Sequence, residues 1–78
     1  MIQELDSVVL TEDTEHLKLA KGDIGTVVLV HNNGEGYEVE FITLGGDTIA
    51  VTTLFPSQIR MIRETEIAKA RSIDLLAA

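Results

Sequence analysis

The stretch Lys21-Gly22-Asp23-Ile24-Gly25-Thr26-Val27-Val28-Leu29-Val30 constrains this chain most, together with Tyr37-Glu38-Val39-Glu40-Phe41 a few residues on. A Gly-x-x-Gly opening feeds a β-branched run, a polar turn reverses the chain, and a strictly alternating strand returns. Glycine permits the tight backbone such an entry needs, and alternation with period two is the mark of a strand with one face inward. The pattern predicts a β-hairpin at the centre of a small twisted β-barrel. None of its residues is an evident catalyst.

Length sets the next bound. Seventy-eight residues make one small domain. A chain of this size buries only roughly 60% of its unfolded surface, so its core is hard to complete alone. Aromatics are limited to Tyr37, Phe41 and Phe55. Aliphatic side chains must therefore fill the interior, and the many valines and isoleucines suit strands. The absence of cysteine excludes disulfides and thiolate metal sites. Met1-Ile2-Gln3-Glu4-Leu5-Asp6 has no basic start and no long apolar run. The expectation is therefore no leader, no membrane span and a cytoplasmic location.

Along the chain, Ser7–Thr11 reads as a first strand and Glu12–His16 as a polar loop, with Leu17 and Leu19 as plugs onto the barrel. Thr26–Val30 reads as the second strand. His31-Asn32-Asn33-Gly34-Glu35-Gly36 turns the chain, because Asn and Gly tolerate positive φ. Tyr37–Ile42 and Thr48–Leu54 follow as strands, with Tyr37, Val39 and Phe41 facing in and Glu38 and Glu40 facing out. Pro56 suits a first helical position, so Phe55–Ile59 is expected to be a single tight helical turn before a short strand Arg60–Ile62. This order predicts an all-β, five-stranded SH3-like barrel with a 3-10 turn before the last strand.

From Glu64 the pattern changes. Acidic residues come first, Gly and Pro are absent, and Ile67, Ala70 and Ile73 recur three apart with Leu76 beyond. The spacing predicts a C-terminal α-helix, giving a division into residues 1–63 (barrel) and 64–78 (helix or tail).

Leu17-Lys18-Leu19-Ala20-Lys21-Gly22-Asp23-Ile24-Gly25-Thr26-Val27-Val28 and Tyr37-Glu38-Val39-Glu40-Phe41 resemble the motifs of a small bacterial domain-of-unknown-function family, frequent in cyanobacteria. The resemblance covers Leu5 to about Arg60. It implies an SH3-like barrel without assigned catalytic residues, commonly encoded beside another small reading frame. A two-gene module, toxin and neutraliser, is the arrangement it suggests. The segment from Glu64 lies beyond it.

Catalytic and metal chemistry find little footing. Glu38 and Glu40 share a strand face, but alternating acids are usually a strand's solvated side. His16 and His31 have no ligand spacing around them, and Ser7, Ser57 and Ser72 lack a nucleophile-elbow context. Gly22–Gly25 precedes a strand rather than a helix, so it is no phosphate cradle. The reading is a non-enzyme with no metal and no cofactor.

Charge and hydropathy point toward a partner. The net charge is −7, which repels a nucleic-acid backbone unless Lys18, Lys21, Arg60 and Arg63 form one stripe. That stripe defines the alternative function, nucleic-acid binding. The leading one is a protein-binding module, the regulatory or neutralising partner of a neighbouring gene product. Thr26–Val30 is apolar on both faces, which calls for cover on both. Val27 and Leu29, extended by Ile42, Ala50 and Leu54, would form the second surface, with Ile67, Ile73 and Leu76 on the helix. The expected cover is that helix, a second copy in a homodimer, or another protein.

Overall fold

The computed structural model describes residues 1–74. Five strands follow in order, β1 (Ser7–Leu10), β2 (Ile24–His31), β3 (Gly36–Ile42), β4 (Thr48–Leu54) and β5 (Ile59–Met61), with 3-10 turns at Glu15–Leu17 and Pro56–Gln58. Every pairing is antiparallel, and the strands lie in one sheet in the order β4-β3-β2-β1-β5. The fold is all-β, and the turn before the last strand falls where Pro56 predicts it.

The closed barrel is corrected. β4 and β5 occupy opposite edges, and no ladder joins them. The reason lies in the connection. Pro56 cannot donate to a ladder, and the turn it starts is fastened to the end of β1. Thr11 N–H donates to the Gln58 carbonyl at 2.9 Å and its hydroxyl to the Ser57 carbonyl at 2.8 Å. The chain is thereby delivered to β1, where a three-residue β5 pairs through Ile59 opposite Leu10. The sheet still curls, because Leu54 and Ile59 from its two edges share one buried cluster.

That cluster draws on every strand: Val8 and Leu10, Val27, Tyr37, Val39 and Phe41, Leu54, and Ile59. Leu19 joins it from the long first loop, with Leu17 partly buried beside it, as expected of plugs. The loop can reach inward because Thr14 and Leu19 pair across it and Lys18 takes a left-handed backbone between them. Asn32, Asn33 and Gly34 all take positive φ in the β2–β3 turn, so that reversal is built as its sequence suggests.

The C-terminal helix is also corrected. Residues 64–74 contain no helix; a turn at Glu64–Thr65 leads into irregular chain. A short segment with one narrow apolar stripe is a marginal helix in water. Here its polar groups find competing partners. Glu66 accepts from the Arg63 N–H at 2.7 Å and takes the Arg60 guanidinium on both oxygens, at 2.9 and 2.6 Å. Further on, Arg71 reaches Asp23. Leu76 lies outside the described residues.

Candidate functional site

The outer face of β2–β3–β4 is built by register. Opposed residues in antiparallel strands point to the same side. Leu29, Glu38 and Thr53 therefore form one outward row, Thr26, Glu40 and Val51 the next, and Ile42 and Thr48 a third. Glu38 and Glu40 are outward, as their alternation with the buried Tyr37, Val39 and Phe41 requires.

A bulge explains the doubly apolar run of β2. Val27 pairs with Val39, yet Leu29 pairs with Glu38, so Val28 is the extra residue. A bulge resets the alternation. Val27 points into the core, Val28 and Leu29 are 40% and 44% exposed, and Val30 turns back onto the core. The run is apolar on both faces because the strand changes face midway. Among the described residues no helix supplies the expected cover.

The residues expected to meet a partner thus separate. Val27 and Leu54 are buried in the chain's own core and offer no surface, Val27 because it precedes the bulge and Leu54 because it opposes Tyr37. Leu29 and Ile42 are exposed on the outer face, the latter by 56%. Ile67 is 93% exposed and Ile73 half-buried, both on the tail rather than on a helical stripe. Val51, 55% exposed on the edge strand itself, adds to this face beyond the residues expected there. Its alternation with Ala50 and Thr52 was the available signal.

The carboxylates of this face are hydrogen-bonded in place. Glu38 accepts from the Thr53 hydroxyl and lies 2.8 Å from His31 Nε2. The Thr53 hydrogen bond first, and the His31 hydrogen bond next, hold its carboxyl below the ordinary value. Glu40 accepts from the Thr48 hydroxyl at 3.2 Å. The face therefore presents fixed negative charge among exposed aliphatic side chains.

A second feature lies where the tail crosses back. A cleft of about 550 Å³ separates residues 68–73 from Leu19, Ile24, Phe41 and Ile49. Arg71 Nε and Nη2 donate to the two Asp23 oxygens at 2.8 and 2.5 Å, and Nη2 also reaches the Lys18 carbonyl at 3.1 Å. Partial burial pushes the Asp23 carboxyl upward, but the Arg71 hydrogen bond, the Ala20 N–H and the Arg71 charge together bring it below its ordinary value. Among the described residues no three His, Asp or Glu side chains are placed to hold a metal ion.

The four cations of the nucleic-acid alternative are differently placed, with Lys18 Nζ donating to the Asp74 carbonyl at 3.5 Å. Arg60 is forked onto Glu66, and the Lys21 N–H donates to the Asp13 carboxylate at 2.8 Å. Among the described residues no helix is long and apolar enough to cross a membrane.

No curated protein and no solved structure matches the chain. A family model does match, over residues 4–61, which spans all five strands and stops before the tail. The chain belongs to the family described as Domain of unknown function (DUF4926).

Proposed function

We propose that this chain is a non-enzymatic protein-binding module that docks a basic, partly apolar protein surface on the outer face of β2–β3–β4. One observation carries the reading: Leu29 and Ile42 stand exposed on the face that also carries the hydrogen-bonded carboxylates Glu38 and Glu40. Apolar contact supplies affinity, while a net charge of −7 steers a basic partner and speeds its association. The product of a neighbouring gene, with this chain as its regulatory or neutralising half, is the partner to test first.

The test is co-purification of the tagged chain from its host at low and moderate salt, beside Leu29→Lys and Ile42→Lys. Both positions are exposed, so the variants keep the fold while repelling a basic surface. A stoichiometric protein that is recovered with the natural chain and lost with both variants supports the reading. Recovery unchanged by either substitution, or no recovery at low salt, overturns it.

The nucleic-acid alternative has weaker support, since Arg60 already has a bidentate carboxylate and Asp13 and Asp23 interrupt any stripe near Lys21. A titration with single-stranded and duplex ligands decides it, because phosphate contacts produce a steep loss of affinity with salt.

A further inference from the structure

The two edges of the sheet are treated differently. β5 is three residues long, and Arg60 and Arg63 lie in or beside it. Short length and charge are the usual ways of keeping an edge from pairing. β4 has neither. Thr48-Ile49-Ala50-Val51-Thr52-Thr53-Leu54 is seven residues without Lys, Arg, Asp, Glu, Gly or Pro. Its β-branched composition favours extended chain. Among the described residues it pairs with β3 alone. Among the described residues the tail comes near the beginning of β4, where Ile73 and Asp74 share a small cleft with Thr48 and Ile49.

We propose that the free edge of β4 pairs antiparallel with β4 of a second copy, joining two sheets into one. The strand is complementary to itself. A two-fold axis through Val51 sets Val51 opposite its copy, Ala50 opposite Thr52 and Ile49 opposite Thr53. Ala50 and Thr52 both lie on the inner face and Val51 on the outer one, so the central pairs match as antiparallel pairing demands. Ile49, the extra residue of a bulge against β3 and packed on the core, ends the match short of the outward Thr53. Every pair is uncharged, and a β-branched pair stands at the centre, the kind that stabilises a ladder.

Charge favours a copy at this edge over any other place on so acidic a chain. The outward carboxylates of the neighbouring strand, Glu38 and Glu40, are on β3, one strand in from the edge, and Asp47 and Asp74 lie at the start of β4, away from its centre at Val51. Across the joined sheet they stand three strand spacings from the corresponding pair, about 14 Å. That exceeds the Debye length of about 8 Å at physiological salt, so their repulsion is largely screened. A strand from a charged partner would find no charge on β4 to select it. The proposal does not depend on the protein-binding reading, whose residues Leu29 and Ile42 lie off this edge.

Sedimentation equilibrium of the full chain, from micromolar to millimolar concentration, reads the dimer directly. Val51→Lys is the diagnostic variant: within one chain the lysine opposes Glu40, which favours the fold, but across the axis two lysines meet. It should weaken dimerisation roughly tenfold or more, while Leu29→Lys leaves it unchanged. Hydrogen exchange of the natural chain supplies a measurement free of substitutions. Alternate β4 amides, those facing away from β3, should gain protection as concentration rises. A chain that stays monomeric to millimolar concentration overturns the proposal. A dimer indifferent to Val51→Lys, or β4 amides whose exchange ignores concentration, overturns it equally.

Discussion

Arg71 forks onto Asp23 across 48 positions of sequence, and through that contact the tail is drawn back over the cleft beside Phe41 and Ile49. Asp23 is well prepared to receive it. The same carboxylate already accepts the Ala20 N–H at 2.9 Å, which fixes its orientation in the turn before β2. Bidentate pairing then gives the tail one defined position rather than many. Arg71→Ala should release residues 67–74 while leaving the sheet intact. The expected cost in global stability is small, about 0.5–1 kcal/mol, because the pair is substantially solvated. Amide exchange should rise sharply along the tail and stay unchanged in β2 and β3. Retained protection of the tail in Arg71→Ala would show that apolar contact alone holds it.

Acid should act on both fastenings of the tail. The Arg60 hydrogen bond, then the Arg63 N–H, hold the Glu66 carboxyl well down, from 4.5 to about 2. A depressed carboxyl contributes its full share above its unfolded value and loses it as pH falls through the folded one. Docking of the tail root is therefore complete above about 4.5 and fades only toward pH 2. Asp23, also held below its ordinary value, loses its grip on Arg71 in the same direction, as pH falls through its lowered folded value. The tail should stay docked from pH 5 upward and come free in strong acid. Chemical shifts of the Glu66 and Asp23 side chains, followed against pH by NMR, would show inflections below those of a free carboxyl, with Glu66 near about 2.

The two glycines of the Gly-x-x-Gly opening serve different ends, and substitution should separate them. Gly22 has φ +96° with nothing within 4 Å of an added Cβ. Alanine there meets only backbone strain, about 1–2 kcal/mol. Gly25 has no positive φ, but a Cβ would lie 2.6 Å from Val39 Cγ1 and 2.8 Å from Phe41 Cε1. Both neighbours are buried, so neither has room to retreat. Gly25→Ala should cost more than Gly22→Ala, at or above about 3 kcal/mol. Paired denaturant titrations check the ranking, and equal costs would refute the assignment of conformation to one glycine and space to the other.

The legible parts of this fold were those decided by neighbours in sequence. Tyr37, Val39 and Phe41 are inward because their alternation with Glu38 and Glu40 leaves no other choice. Pro56 marks the turn because its chemistry forbids a ladder position. Decisions made by distant groups were not legible. The tail's docking depends on Arg60 and Asp23, both outside it, which pair with its Glu66 and Arg71. The sheet does not close because β5 is delivered to β1. The exposed face was half legible: Leu29 and Ile42 were found, while Val27 and Leu54 were placed on it although both are core. Their misplacement has a single source for Val27, the bulge at Val28, since a run of valines gives no sign of where the alternation resets.

Phe41 tests the core that this alternation predicts. It is 2% exposed and packs in the cluster that spans the whole sheet. Phe41→Ala should cost about 3–5 kcal/mol, a large share of what a domain this small has. A cooperative thermal transition retained near the natural midpoint would mean that the cluster closes over the loss without penalty.

The bulge makes the sharpest demand on neighbouring residues. Without it, Val27 and Leu29 would share a face and respond alike to substitution. With it, Val27 is buried at 0% exposure and Leu29 stands at 44%, opposite Glu38. Val27→Lys puts an unpaired charge into the core and should cost more than about 4 kcal/mol, enough to unfold the chain. Leu29→Lys instead gains a carboxylate across the strand and should change stability by no more than about 0.5 kcal/mol in either direction. Val28→Lys, at the bulge itself and 40% exposed, should be tolerated like Leu29→Lys. Denaturant midpoints of the three variants measure the reset directly. Tolerance at positions 28 and 29 with collapse at 27 is the pattern a bulge requires, whereas tolerance at 28 alone would restore a regular strand and place Leu29 back in the core.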